Sequence, residues 1–140
     1  MPTVFRSMRK ADDGFPVVGR STSSLGVRVI GMIPPAQKVD VDTATNNDVI
    51  VNEKGMSVNR TWRDISPNFL PIRCGGFASN NRYCFRMGEG AFVKGPFSDG
   101  LEFFPDTQKH GLVRPARIMP LAQYEDYLAA TRVEWQIDEN

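Results

Sequence analysis

At 140 residues, with 17 Lys and Arg against 16 Asp and Glu, the chain carries a formal net charge of +1. That length suits one domain with a real core, and that charge balance argues against the strongly basic surface of a nucleic-acid binder. No apolar run approaches the ~20 residues of a membrane span, and the opening Met1-Pro-Thr-Val-Phe-Arg6 lacks the apolar segment of a cleaved secretion signal, which predicts a cytosolic protein where it is made.

In chain order, residues 3–10 read as a strand with Val4, Arg6 and Met8 on one face and Thr3, Phe5 and Ser7 on the other. Asp12-Asp-Gly14 is a turn, which makes residues 15–19 a return strand. A polar loop follows, then a β-branched stretch over 25–33 that contains Arg28 and reads as a strand ended by Pro34-Pro35. Residues 35–47 are rich in Asp, Thr and Asn, which predicts an irregular excursion. A short strand is expected at 48–52, a turn at Glu53-Lys-Gly55, and extended chain from Met56 to Val58. Residues 61–65, with Trp62, read as a helical turn.

The stretch 82–87 alternates, placing Tyr83 and Phe85 on one face and Cys84 and Arg86 on the other. Gly95-Pro96 and Ser98-Asp-Gly100 read as turns, and 101–104 as a strand. The only histidine, His110, heads a run over 110–113 that reads as another strand. Pro120 then opens the clearest helix, with Leu121, Tyr124, Leu128 and Thr131 in one stripe. Trp62 and Trp135 are expected at the edge of the core. Many short strands and one late helix predict an α+β fold: a mostly antiparallel sheet core with a C-terminal helix, in one domain over residues 1–140.

Cys74 and Cys84 match no common zinc spacing. With a single histidine they cannot fill four metal positions without carboxylates, so they read as two reduced thiols on or near neighbouring strands, with no metal expected.

Four places, in order, resemble one family. They are Val4-Phe-Arg6; Gly55-Met-Ser-Val58; Phe85-Arg-Met-Gly-Glu-Gly90 followed by Gly100-Leu-Glu-Phe-Phe104; and Lys109-His-Gly-Leu-Val-Arg-Pro-Ala-Arg-Ile-Met119-Pro-Leu before the helix. Together they resemble the ADP-ribosyltransferase-like toxins typified by the second exported effector of a bacterial type VI secretion system. No single motif is specific; the order and spacing carry the resemblance, from about residue 4 to 131.

The resemblance implies an ADP-ribosyltransferase-like fold and a toxin that uses NAD as substrate, as an ADP-ribosyltransferase or an NAD glycohydrolase. It implies delivery into a target cell without a cleaved signal, and a cognate immunity protein as partner. It assigns Arg6 as the dinucleotide anchor, because a guanidinium can grip phosphate or ribose oxygens with parallel donors. Ser57 orients that arginine and the ribose. His110 stands near the place where relatives of known reaction carry a glutamate, and Glu102 or Glu89 would then supply the carboxylate that stabilises a cation-like sugar. The implied catalytic set is Arg6, Ser57, His110 and Glu102. The implied binding set is Arg6, Gly55, Met56, Ser57 and Tyr83, although Tyr83 also reads as core. The alternative is a binding domain on the same scaffold, without catalysis, that acts through a protein partner. A ribonuclease would need more than one histidine and a more basic surface.

Overall fold

The computed structural model describes residues 1–36 and 38–140. A seven-stranded antiparallel sheet organises the chain. Its strands are β1 (Val4–Arg9), β3 (Met56–Asn59), β4 (Arg82–Met87), β5 (Gly95–Ser98), β6 (Leu101–Pro105), β7 (His110–Pro115) and β9 (Gln136–Ile137). They lie in the order β5-β6-β7-β3-β1-β4-β9. A two-stranded sheet pairs β2 (Asp48–Val49) with β8 (Met119–Pro120). The chain carries one α-helix among the described residues, α1 (Leu121–Ala130), so the fold is α+β with a late helix, as the patterning predicts.

The alternation along β1 holds. Val4 and Met8 enter the main core with Phe85 and Met87 of β4, while Phe5 joins Ile65, Leu70 and Cys84 in a second, smaller cluster on the opposite face. Helix α1 closes the main core with Leu121, Tyr124 and Leu128, and Thr131 is buried beyond its end. Pro120 sits at the N-cap, one place before the first turn. Trp135 is 0% exposed, wholly inside the core rather than at its edge. Burying that indole is tolerable because its Nε1–H donates to the Thr131 hydroxyl at 2.9 Å.

Three expected elements differ, each for a physical reason. Residues 25–33 form no strand, although Leu25, Val27 and Val29 alternate into the core. A strand needs a neighbouring strand to take its backbone groups, and here the carbonyls of Ser24 and Gly26 go to a side chain, Arg6. The return strand at 15–19 shrinks to single bridges, Lys10 with Pro16 and Val18 with Leu25. Gly95-Pro96 is not a turn but the start of edge strand β5, where a residue without an N–H is harmless, and the pairing with β6 is irregular between Pro96 and Ser98. The excursion over 35–47 includes Gln37, outside the described residues; the rest holds one bridge, Thr43 with Val49. Strand β9 carries no pattern of its own, since both of its residues are exposed.

One discontinuity positions the site. β3 pairs with β7 over four residues, and β1 with β4 over six, but β1 and β3 share the single pair Phe5 with Asn59. The sheet is split there.

Candidate functional site

Arg6 fills the split. Its side chain is 8% exposed. Nε and Nη2 donate to the Ser24 carbonyl at 3.0 and 2.9 Å, Nη1 to the Ser57 carbonyl at 2.8 Å, and Nη2 also reaches the carbonyls of Ser21 and Gly26 at 3.3 Å. Continued antiparallel pairing from Phe5 and Asn59 would set Ser7 against Ser57, so the guanidinium replaces a missing piece of ladder. Burial lowers the Arg6 pKa to about 10, partly offset by the charge of Asp40, and the group stays cationic at neutral pH.

Two adjoining chambers open over the split. The inner one, about 70 Å³, is lined by Arg6, Ser7, Thr22, Ser57, Asn59 and Phe69, among others. The outer one, about 460 Å³, is lined by Lys38, Glu53, Gly55, Ser57, Asp106 and His110, among others. Arg28, Asp40, Ser57 and Phe69 belong to both, so the two lie side by side as one candidate site. Arg28 and Asp40 hold its roof. The guanidinium meets the carboxylate at 3.0 and 2.8 Å, and the Arg28 amide donates to the same carboxylate at 2.7 Å. That bidentate partner holds the Arg28 pKa above its ordinary value.

The inner chamber mixes polar and apolar lining, and its surroundings are incompletely paired. Ser7 Oγ and Arg82 Nη1 are buried with no hydrogen-bond partner among the described residues. Arg82 stands just behind the wall: Nη2 donates to Thr22 Oγ1 at 3.2 Å and its guanidinium stacks 5.3 Å over Phe69. Buried polar groups left unpaired are costly, so such groups beside a chamber are groups suited to a ligand.

At the outer end, Asp106 Oδ1 lies 2.7 Å from His110 Nδ1. The β6–β7 turn builds this dyad, with the amides of Asp106 and Thr107 donating to the His110 carbonyl and the His110 amide donating to Thr107 Oγ1. A carboxylate at Nδ1 favours the proton there, which leaves Nε2 as an acceptor toward a ligand. Ser57 and His110 lie on one face of the sheet, on adjacent strands one diagonal apart, because Asn59 is the direct partner of His110 and Ser57 that of Leu112.

Of the residues singled out in the sequence, Arg6 and Ser57 line the inner chamber and Gly55, Ser57 and His110 the outer one, with Ser57 common to both. Gly55 allows the close approach of β7, since a Cβ there would stand 2.6 Å from the Val113 carbonyl oxygen. Four others lie elsewhere. The Met56 side chain is core, and its amide donates to the Tyr124 hydroxyl at 3.3 Å. Glu102 is not among the groove-lining residues; it is taken by Arg114, whose Nε and Nη2 meet Oε1 at 3.1 and 2.7 Å. Tyr83 packs against the main core, with Lys10 and Arg73 at 4.8 and 4.5 Å from its ring centroid. Glu89 is exposed and its amide is bonded to the Met1 carbonyl.

The sequence reading missed Ser7, Asp40, Glu53 and Asp106. Ser7 follows Arg6 in the same strand, and Asp106 precedes His110 by a turn's length; both signals are local. Asp40 carries no such signal, because its partner Arg28 lies twelve residues away across irregular chain. No protein-family model, curated protein or solved structure matches this chain.

Proposed function

We propose that the groove binds NAD and that the protein cleaves its nicotinamide–ribose bond, as an ADP-ribosyltransferase or an NAD glycohydrolase acting as a toxin in a target cell. The observation that carries this reading is a pair of adjoining chambers, with unpaired polar groups by the inner one at the sheet split and a histidine–carboxylate dyad at the outer one. A dinucleotide would lie along the outer chamber, with its reacting sugar toward His110 and an oxygen-rich end toward Ser57 and the mouth of the inner chamber. The ordered resemblance at Arg6, Ser57 and His110 points the same way.

In this chemistry the bond from ribose C1′ to the nicotinamide nitrogen breaks, and its electron pair leaves with neutral nicotinamide. Water or a hydroxyl or amine of a target adds to C1′ and gives up a proton. His110 Nε2 accepts that proton. The cation-like sugar needs a nearby carboxylate. Glu53 is the best-placed one, because it lines the outer chamber and makes no ion pair among the described residues, whereas Asp40 is held by Arg28. Arg6 becomes a positioning residue: its donors are spent on backbone carbonyls, and it holds the Ser57 strand beside the chamber. A producing cell would need a neutralising protein partner.

Incubation with NAD tests the reading by release of nicotinamide. His110→Ala, at a half-buried rim position, should lower release by about 10²–10⁴-fold with folding intact. Absence of both nicotinamide release and NAD binding by the folded wild type sinks it. The second reading, a binding domain without catalysis, is favoured by the engagement of Glu102 with Arg114. It predicts toxicity that survives Ser57→Ala with His110→Ala in one chain.

A further inference from the structure

Away from the groove, three side chains from distant parts of the chain converge. Cys74 ends the 3-10 turn Ile72–Cys74, Cys84 lies on β4, and Glu139 follows β9. One ligand atom from each lies within 4.8 Å of the other two. The spacing 74 to 84 alone has no metal signature; the missing third ligand is a carboxylate that only the pairing of β9 with β4 supplies.

The geometry points to a metal site in which Cys74 Sγ, Cys84 Sγ and the Glu139 carboxylate bind a thiophilic divalent cation of the zinc type, with a fourth position left for water or an exogenous ligand. Zinc at ordinary bond lengths of about 2.0–2.3 Å sets tetrahedral ligand atoms roughly 3.5 Å apart, so a small contraction closes the triangle. Cys84 is fully buried, Cys74 is half-buried, and entry is from the Cys74 side.

The surroundings fit a bound ion in two further ways. Arg73 grips both oxygens of Glu139, Nε to Oε1 at 3.1 Å and Nη2 to Oε2 at 2.6 Å, and the Cys84 amide donates to Oε2 at 3.4 Å. Such outer contacts orient a ligating carboxylate. Charge also closes: a dication plus Arg73 balances two thiolates plus one carboxylate. On binding, the two thiols release their protons to solvent, and the Cys74 hydrogen bond to Glu139, 3.4 Å, gives way to coordination.

The test is a titration of the reduced, metal-free full chain with Co²⁺, followed by displacement with Zn²⁺. The expected result is one ion per chain, with thiolate-to-cobalt charge-transfer absorption that disappears as zinc replaces cobalt. Cys74→Ser and Glu139→Gln, both at accessible positions, should each weaken binding more than tenfold. Arg73→Ala should weaken it about 10–100-fold while keeping the absorption band. No charge-transfer band at saturating Co²⁺, or unchanged affinity in both ligand variants, overturns the proposal. So does a chain whose cysteines form a disulfide in air and, once reduced again, still takes up no metal. None of these outcomes depends on NAD.

Discussion

A single arginine spans the split in the sheet. Arg6 serves four carbonyls from two separate stretches of chain, residues 21–26 and Ser57, and its removal takes a donor from each of them at a largely buried place. Arg6→Ala should cost roughly 3–5 kcal/mol in a urea denaturation midpoint, from the desolvation of several acceptors at once. Arg6→Lys should recover little, because an ammonium cannot present a planar fork in three directions. The importance of this residue is legible in the sequence as an arginine set between Val4 and Met8 on a buried face. Its partners are not legible, because they are backbone atoms whose positions depend on the path of residues 21–26. At the groove's other end, Asp106→Asn should lower nicotinamide release by at least tenfold with unchanged stability, since an amide holds the His110 ring without fixing its tautomer. Activity equal to wild type would remove the dyad from the chemistry.

Elements here are completed by side chains where backbone pairing fails. The Tyr124 hydroxyl, from α1, donates to the Val113 carbonyl at 2.6 Å and accepts from the Met56 amide at 3.3 Å, so it bridges β7 and β3 from inside the core. Burial pushes the Tyr124 pKa well above its ordinary value. Tyr124→Phe keeps the ring but orphans both backbone groups, and should cost about 1–3 kcal/mol by chemical denaturation. The helical spacing of Leu121, Tyr124 and Leu128 makes α1 legible in the sequence, and the period-two pattern does the same for β1 and β4. The same pattern misleads at 25–33, where alternation reports burial truthfully but cannot report whether a neighbouring strand exists. β9 is silent for the opposite reason: its pairing is made by backbone, and neither of its side chains is buried.

Across the whole molecule, a long-range ion pair ties the two ends of the chain to each other. Arg132 reaches back to the first turn, donating to Asp13 Oδ1 at 2.6 Å and to the Pro16 carbonyl at 2.9 Å. The Arg132 hydrogen bond, helped by the Phe15 amide, holds the Asp13 carboxyl below its ordinary 3.8. Because its folded pKa is the lower one, the contribution is present above about pH 4 and is lost as pH falls through that range. Asp13→Asn should therefore show a smaller drop in urea midpoint than wild type between about pH 5 and pH 3. An equal drop would mean that other carboxylates carry the acid response. The largest-scale feature is the parting of β1 from β3. Each half of the sheet is internally continuous; between them run one backbone rung and one guanidinium, and both halves pack their side chains into the same main core. The molecule is thus bound like a book, with two stiff leaves along a short spine. Few interstrand bonds cross the spine, so a guest lodged there would add ties between the leaves, and slowed amide exchange at Ser57 and Asn59 is the expected imprint.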